Sequence, residues 1–283
     1  MNSISPKACV IGWPVAHSRS PLIHGYWLKQ HGLSGSYDRM PVQPGDLRSF
    51  FQTLRAGEFV GCNVTLPHKQ NALAYIDHPD ARVTRIGALN TVWKQDGLLH
   101  ATSTDGPGFL ANLGATIPGF EIQDGTTTVL GAGGSARAII DELLRNGSTS
   151  VAIYNRTHAR AEELANIFGK SVHVADHQDL PECLAKTQLL INTTSAGIGD
   201  AGKLDIPWHT LNHSAVVADI TYVPLVTPFL QEAKVRGHRT VTGLGMLLHQ
   251  AVFGFEKWFG VKPEVTDDLY TLVARDIDPD YAR

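Results

Sequence analysis

A lysine, two serines, an aspartate and two arginines are the side chains of this sequence whose placement could support chemistry. Lys69 closes the run Asn63-Val64-Thr65-Leu66-Pro67-His68-Lys69, where a β-prone segment meets a proline. Proline cannot donate to a sheet ladder, so Thr65, His68 and Lys69 are expected at a strand end with side chains free to work. An ammonium there is either solvated surface or a proton donor. Ser18 and Ser20 flank Arg19 directly before Pro21. Ser then Pro reads as a helix start, with Ser20 as N-cap and Pro21 at the first helical position. The two hydroxyls either serve that start alone or face a carboxylate beside the positive end of the helix. Asp105, just ahead of Gly106-Pro107, either caps a helix or presents a free carboxylate.

Arg156 and Arg160 take their meaning from a glycine turn upstream. Residues 126–144, TTTVLGAGGSARAIIDELL, pass from a β-prone run through glycines into helical spacing. Gly131 suits a tight turn, Gly133 lets backbone approach a pyrophosphate, and Gly134 with Ser135 opens a helix whose N–H groups favour an anion. In an NAD site the next strand ends in an acidic residue about 20 residues beyond the glycines. Here Val151-Ala152-Ile153-Tyr154 ends in Asn155-Arg156-Thr157, with Arg160 one turn on. A carboxylate would repel a 2′-phosphate, whereas two guanidiniums attract it; the alternative is a pair of solvated charges at a helix start. The expected cofactor is NADP.

The elements that must position these residues form two patterns. In the first, residues 7–12, 36–42 and 58–64 read as strands. Helices follow Ser20 and the Pro44-Gly45-Asp46 start, the second with Leu47, Phe50, Phe51 and Leu54 on one face and Gly57 as its stop. Residues 90–93 and 98–102 read as a hairpin through Gln95-Asp96-Gly97, and Pro107 opens another helix. Residues 114–125 read as a linker. In the second pattern, residues 151–155, 157–168, 171–174, 189–192, 215–220 and 239–241 read as short apolar strands between helical stretches, which implies a parallel, doubly wound sheet. After Gly243 the helical segments 244–259 and 266–276 break the alternation and are expected to return to the first domain. The fold class is therefore α/β in two domains: residues 1–113 plus 244–283 for the substrate, and residues 114–243 as a Rossmann-like NADP-binding domain.

Composition limits the function. With 283 residues, 43% hydrophobic, 18% charged and a formal charge of −3, the chain suits a soluble globular protein of about two domains. No basic arm or zinc-finger spacing points to nucleic acid. The 13 histidines show no ligand-spaced pairing with carboxylates, so no metal is expected. The three scattered cysteines suggest reduced thiols. No run reaches about 18 apolar residues and no leader pattern precedes the first strand, so a cytoplasmic protein without a membrane partner is expected.

Across nearly its whole length the chain resembles the shikimate dehydrogenases, through GWPVAHSRSPLIH, NVTLPHK, GALNTV, STDGPGF, GAGGSARA, NRTHARAEELA, NTTSAG, ADITYVPLVTPFL and GLGMLLHQA in that order. The resemblance implies NADPH-dependent reduction of 3-dehydroshikimate to shikimate, in the pathway to aromatic amino acids, by a monomer or homodimer with its cleft between the domains. It implies Lys69 and Asp105 as the catalytic pair and Ser18, Ser20, Thr65, Asn90, Tyr222 and Gln250 as further substrate contacts. For the cofactor it implies Gly131, Ala132, Gly133, Gly134, Ser135, Ala136, Asn155, Arg156, Thr157, Arg160, Thr193, Thr194, Ser195, Ile220, Gly243 and Met246, although Met246 could equally be helix core. Gly25 and Ser103 stand where the family commonly has Asn, and His100-Ala101-Thr102 lacks a Gly-Asp found in many members. Gly25 and Ser103 read as support behind the substrate, which leaves a quinate-preferring relative as one alternative. A metabolite-sensing protein without turnover is another, and the intact Lys69 and Asp105 speak against it.

Overall fold

The computed structural model describes residues 5–122, 125–196 and 204–282, and the chain forms two compact units. One comprises the chain up to Asp105 together with Leu248–Asp276; the other comprises Gly106–Leu247 with Ile277–Tyr281.

The first unit is a mixed sheet built from β1 (Lys7–Gly12), β2 (Ser36–Pro41), β3 (Gly61–Val64), β4 (His78–Pro79), β5 (Thr91–Gln95) and β6 (Leu98–Thr102), in the order β2-β1-β3-β5-β6-β4. Strands β1, β2 and β3 run parallel, and the β5/β6 hairpin joins antiparallel to β3. The hairpin turn has Asp96 at φ 53° and Gly97 at φ 79°. Two successive left-handed residues match the twist of the flanking strands, which is why Asp-Gly serves here. The helices of this unit begin with α1 (Ser20–Gln30), α2 (Leu47–Ala56) and α3 (Ala81–Ile86). Helix α2 buries Leu47, Phe50, Phe51 and Leu54, and Gly57 ends it in the left-handed region, as its spacing foretold.

Two expectations need correction. Ser20 is the first helical residue of α1 and not its N-cap; Arg19 holds that position without a side-chain cap bond, and Ser18 Oγ instead accepts the Ser20 N–H at 3.3 Å. Residues 157–168 are no strand: His158–Phe168 is helical, because Ala161 and Leu164 recur at helical spacing and fill the core while the intervening residues stay outside.

The second unit carries β7 (Thr126–Leu130), β8 (Ser150–Tyr154), β9 (Val172–Val174), β10 (Thr187–Asn192), β11 (Val216–Asp219) and β12 (Arg239–Val241), paired in parallel in the order β12-β11-β10-β7-β8-β9. Its helices are α4 (Asp105–Thr116), α5 (Gly134–Arg145), α6 (His158–Phe168), α7 (Leu180–Lys186) and α8 (Pro228–Val235). Alternate strand residues serve opposite faces: Val129, Leu189, Ile191 and Val216 join one apolar cluster with Phe109 and Ile139, whereas Leu130, Leu190 and Val217 join another with Leu184 and Leu230. The strand order reverses between β7 and β10, which marks the topological switch point of a doubly wound sheet.

Helix α9 (Gly243–Phe259) passes from the second unit to the first at Leu247/Leu248, and α10 (Asp267–Ile277) follows. In the first unit Trp258 packs with Ala8, Val10 and Tyr37, and its indole N–H donates to Val92 O at 3.0 Å. Gly61 makes room for it, since a Cβ there would lie 2.1 Å from Trp258 Nε1. Trp27 Nε1 donates to Glu264 O at 3.0 Å, so residues after α9 also close over this unit.

Candidate functional site

In the first unit, Lys69, Asp105 and Asn90 are brought into direct contact. Lys69 Nζ donates to Asp105 Oδ2, and Asn90 Nδ2 donates to Asp105 Oδ1 at 2.6 Å. The Lys69 side chain is 11% exposed and that of Asp105 2%, so their interaction is little screened by water. Local structure accounts for the meeting. Lys69 O accepts the Leu89 N–H, Asn90 O accepts from Val64 N, and Asp105 stands at the first turn of α4 immediately after the β6 exit. Asn90 cannot turn its amide over, because its Oδ1 accepts the Thr104 backbone N–H at 2.8 Å, a group that only donates. Its amide protons are thereby aimed at the carboxylate.

Ser18 and Ser20 are both buried at the start of α1. Arg39 Nε donates to Ser18 O at 2.8 Å and fixes the loop. Thr65 follows the end of β3 and is half-buried, its methyl lying where a Cβ on Gly12 would fall. Gln250, on α9 in this unit, keeps its Oε1 buried without a hydrogen-bond partner among the described residues. A buried amide oxygen left this way costs on the order of 1–3 kcal/mol, so it suits an acceptor kept for a ligand hydroxyl. His68 departs from expectation. It is fully buried, with Nε2 2.7 Å from Val42 O, and anchors the loop rather than working in the open. Gly25 is exposed on α1 with nothing within 4 Å of an added Cβ, so it does not support the site; Ser103 is buried.

In the second unit the glycine turn sits at the switch point. Gly131 has φ 111°, its N–H donates to Tyr154 O at 2.8 Å, and a Cβ there would lie 2.4 Å from Thr193 Oγ1. Only glycine fits. Gly133 precedes α5 with open space about its Cα, and Gly134, Ser135 and Ala136 form the first turn of that helix; Ala132 is buried beside them. Beyond β8, Asn155 Nδ2 donates to Thr157 O at 2.8 Å, which shapes the loop so that Arg156 and Arg160 are both exposed. Thr157 precedes α6 without a side-chain cap bond. Across the switch point Thr193 Oγ1 donates to Leu130 O at 2.7 Å and Thr194 Oγ1 to Asn192 Oδ1 at 2.8 Å; Ser195 follows, and Gly197 of the same motif lies outside the described residues. Gly243 presses on the Ile220 carbonyl, where a Cβ would be 2.3 Å away, and Met246 is 5% exposed within the apolar cluster. Tyr222 also belongs to this unit and is half-buried.

The comparisons with known proteins fall on both units. Residues 10–92 match the shikimate dehydrogenase substrate binding domain, residues 113–221 the shikimate/quinate 5-dehydrogenase family, and residues 243–267 the shikimate 5′-dehydrogenase C-terminal domain. The NADP-dependent shikimate dehydrogenase of Methylocella silvestris is 49% identical over 98% of this chain and 99% of its own. The chain belongs to the shikimate dehydrogenase family. A shikimate dehydrogenase from Thermus thermophilus, solved with NADP(H) and shikimate, is 36% identical and superposes with a TM-score of 0.85 over 96% of this chain and 99% of that one. A quinate dehydrogenase from Corynebacterium glutamicum, solved with NAD, is 25% identical with a TM-score of 0.86 over 95% of this chain and 99% of that one.

Within this family member, sequence reasoning passed over two buried polar networks. One joins Asn192 Nδ2 and Thr227 Oγ1, at 3.0 and 2.7 Å, to Asp219 Oδ2, while Asp219 Oδ1 accepts the Thr221 N–H at 2.9 Å. Burial raises the Asp219 carboxyl above its ordinary value, against the pull of these donors. Its only signal was a carboxylate at the end of an apolar strand. The other surrounds Tyr37 and Asn63, the latter six residues ahead of Lys69 in the same run.

His24 was also passed over. It is fully buried, its ring stacks on Tyr37 at 3.9 Å and 11°, and neither ring nitrogen has a hydrogen-bond partner among the described residues. Burial lowers its pKa from 6.5 to about 3. Between those values the unfolded chain binds the proton and the folded one does not, so stability falls as pH falls through the window, by at most ~1.4 kcal/mol per pH unit. Thermal melts from neutral to acidic pH are expected to decline more steeply for the wild type than for His24→Phe, which keeps a stacked ring. Identical slopes would remove His24 as the cause.

Proposed function

We propose that this chain catalyses the reversible reduction of 3-dehydroshikimate to shikimate with NADPH, and that the joined Lys69, Asp105 and Asn90 carry the reaction's acid–base work. The domains take the roles expected above: residues 1–113 with 244–283 hold the substrate, and residues 114–243 hold the dinucleotide. When bound, NADPH supplies the hydride. As the ketone oxygen gains alkoxide character, the Lys69 ammonium stabilises it and donates a proton to it; in the reverse direction the neutral amine takes that proton back. Asp105 holds the ammonium through Oδ2 and accepts from an adjacent ring hydroxyl, with Asn90 keeping the carboxylate oriented. Ser18 and Ser20 donate to the substrate carboxylate near the N-terminus of α1, where the helix dipole adds to the attraction. Thr65, Gln250 and Tyr222 meet the remaining oxygens. The buried, unpartnered Gln250 Oε1 supports its part in this.

The second unit's residues fit the dinucleotide. Gly131 and Gly133 keep side chains away from the pyrophosphate, Ser135 and Ala136 open the helix toward it, and Thr193, Thr194 and Ser195 line the other side of the switch point. Asn155, Arg156, Thr157 and Arg160 receive the 2′-phosphate and ribose. Gly243, Ile220 and Met246 complete the nicotinamide end.

No helix among the described residues is long and apolar enough to cross a membrane. A cytoplasmic place is part of the proposal, supported by the unpaired Cys9, Cys62 and Cys183. So is a monomeric or homodimeric state. Formation of NADPH from NADP with shikimate as the reductant tests the activity, and absence of turnover in folded protein would overturn it. A preference for quinate is the second reading, favoured by the buried Ser103 where relatives commonly carry Asn. Rates on the two acids are expected to favour shikimate; a faster rate on quinate would reverse the assignment.

A further inference from the structure

A line of buried and half-buried polar groups crosses the first unit from Tyr37 on β2 to the acid–base pair. Tyr37 OH lies 2.5 Å from Asn63 Oδ1, Asn63 Nδ2 lies 3.1 Å from both Thr91 Oγ1 and Asn90 O, and Thr91 Oγ1 lies 2.9 Å from Asn90 Oδ1. Asn90 then reaches Asp105, which holds Lys69. Strand register sets these groups in place: Tyr37 stands opposite Ala8 of β1, and Asn63 stands between Val10 of β1 and Thr91 of β5.

Backbone groups fix which way every proton points. Asn90 O can only accept, so the Asn63 amide must turn its NH2 toward it and leave Oδ1 facing Tyr37. The phenol must therefore donate. Thr104 N–H can only donate, so Asn90 Oδ1 faces it and is left to accept from Thr91 as well. Each member then donates to the next, Tyr37 to Asn63, Asn63 to Thr91, Thr91 to Asn90 and Asn90 to Asp105, and chains ordered in one direction strengthen one another. The phenol is suited to the head of the line, because burial raises its pKa well above the ordinary value and keeps the hydroxyl a donor. His24 stacked on one face of the ring keeps the position rigid.

We propose that Tyr37 is a positioning residue for the reaction, acting through Asn63, Thr91 and Asn90 to hold Asp105, and through it Lys69, in working orientation. This rests on the roles given above to Lys69 and Asp105. Its hydroxyl, not its ring, matters. Tyr37→Phe keeps the stack on His24 and removes the first donor, leaving Asn63 Oδ1 without the phenol's hydrogen bond.

The experiment measures shikimate oxidation by wild type, Tyr37→Phe, Asn63→Ala and the double variant, with folding checked by circular dichroism. Loss of one hydrogen bond acting at a remove is expected to lower kcat about tenfold in Tyr37→Phe, with KM for NADP within about twofold of wild type. In the Asn63→Ala background the same change is expected to add less than about twofold, because the line is already broken. A lower melting temperature with unchanged kcat would make Tyr37 structural only and overturn the proposal. Multiplicative losses in the double variant would overturn the route through Asn63. Absence of turnover in the wild type would overturn the proposed function and this inference together, whereas wild-type turnover with a fully active Tyr37→Phe would overturn this inference alone.

Discussion

Lys69→Ala is expected to lower kcat for shikimate oxidation by about 10²- to 10⁴-fold, the range for loss of positioned acid–base help. The size follows from what Lys69 alone supplies. Asp105 can only accept while ionised, Asn90 is committed to Asp105 and Thr104, and the hydroxyls of Ser18 and Ser20 sit at the head of α1. None of them can replace a proton donor at the reacting oxygen. Truncation also takes the Lys69 ammonium away from the buried Asp105, which would ordinarily cost stability, but Asn90 still donates to Oδ1. The fold is therefore expected to persist, which circular dichroism and a melting curve would verify. Lys69→Gln separates the two duties of the lysine. Its amide can still donate to Asp105, yet it has no proton to transfer, so its rate is expected to fall as far as that of the alanine variant. If Lys69→Gln kept most of the activity, charge and orientation would suffice and Lys69 would not be the acid. A loss below about tenfold in Lys69→Ala would remove it from the chemistry altogether.

Much of the local structure that positions these residues was legible in the sequence, for reasons that differ from residue to residue. The glycine turn could be read because Gly131 is demanded by its own backbone and by Thr193, and such demands leave only one residue type. The Asp96-Gly97 hairpin and the Gly57 helix stop could be read for the same reason. Helix α2 could be read from its apolar face, since four residues at helical spacing meet one core. The stretch 157–168 was misread among its neighbours because a weakly apolar segment between two strands invites the strand period; only Ala161 and Leu164, three apart, show which face is buried. Ser20 was misread as a cap because Ser-Pro statistics describe sequence neighbours, whereas here Ser18 approaches the N–H of Ser20 from outside the helix. The Tyr37 to Asp105 line was invisible for a deeper reason. Its members lie on β2 and β3, at and just before the start of β5, and at the start of α4, and nothing in a linear sequence reports that parallel and antiparallel pairing will align them. Buried polar side chains reveal themselves only when their partners are known.

Arg156→Ala is expected to weaken NADP about 10- to 100-fold while leaving NAD nearly unchanged, as judged by the ratio of kcat/KM with the two cofactors. A forked, charge-assisted contact to a phosphate is worth roughly 1.5–3 kcal/mol, and that contact exists only when the 2′-phosphate is present. The local structure favours Arg156 over its neighbours in the loop. It stands exposed directly after β8, in a turn tied by Asn155 to Thr157 O, whereas His158 is drawn aside by Asp176 at 2.9 Å and Glu162 at 3.4 Å. Arg160 is exposed one helical turn on and is expected to share the phosphate, so Arg156→Ala with Arg160→Ala should lose more NADP affinity than either alone and bring the two cofactors close to parity. Raised ionic strength should narrow the wild-type preference in the same direction, because an exposed phosphate contact is screened by salt. Equal losses for NADP and NAD in Arg156→Ala would mean that the arginine holds the fold of the loop or a part common to both cofactors, and recognition of the 2′-phosphate would then have to lie elsewhere in the second unit.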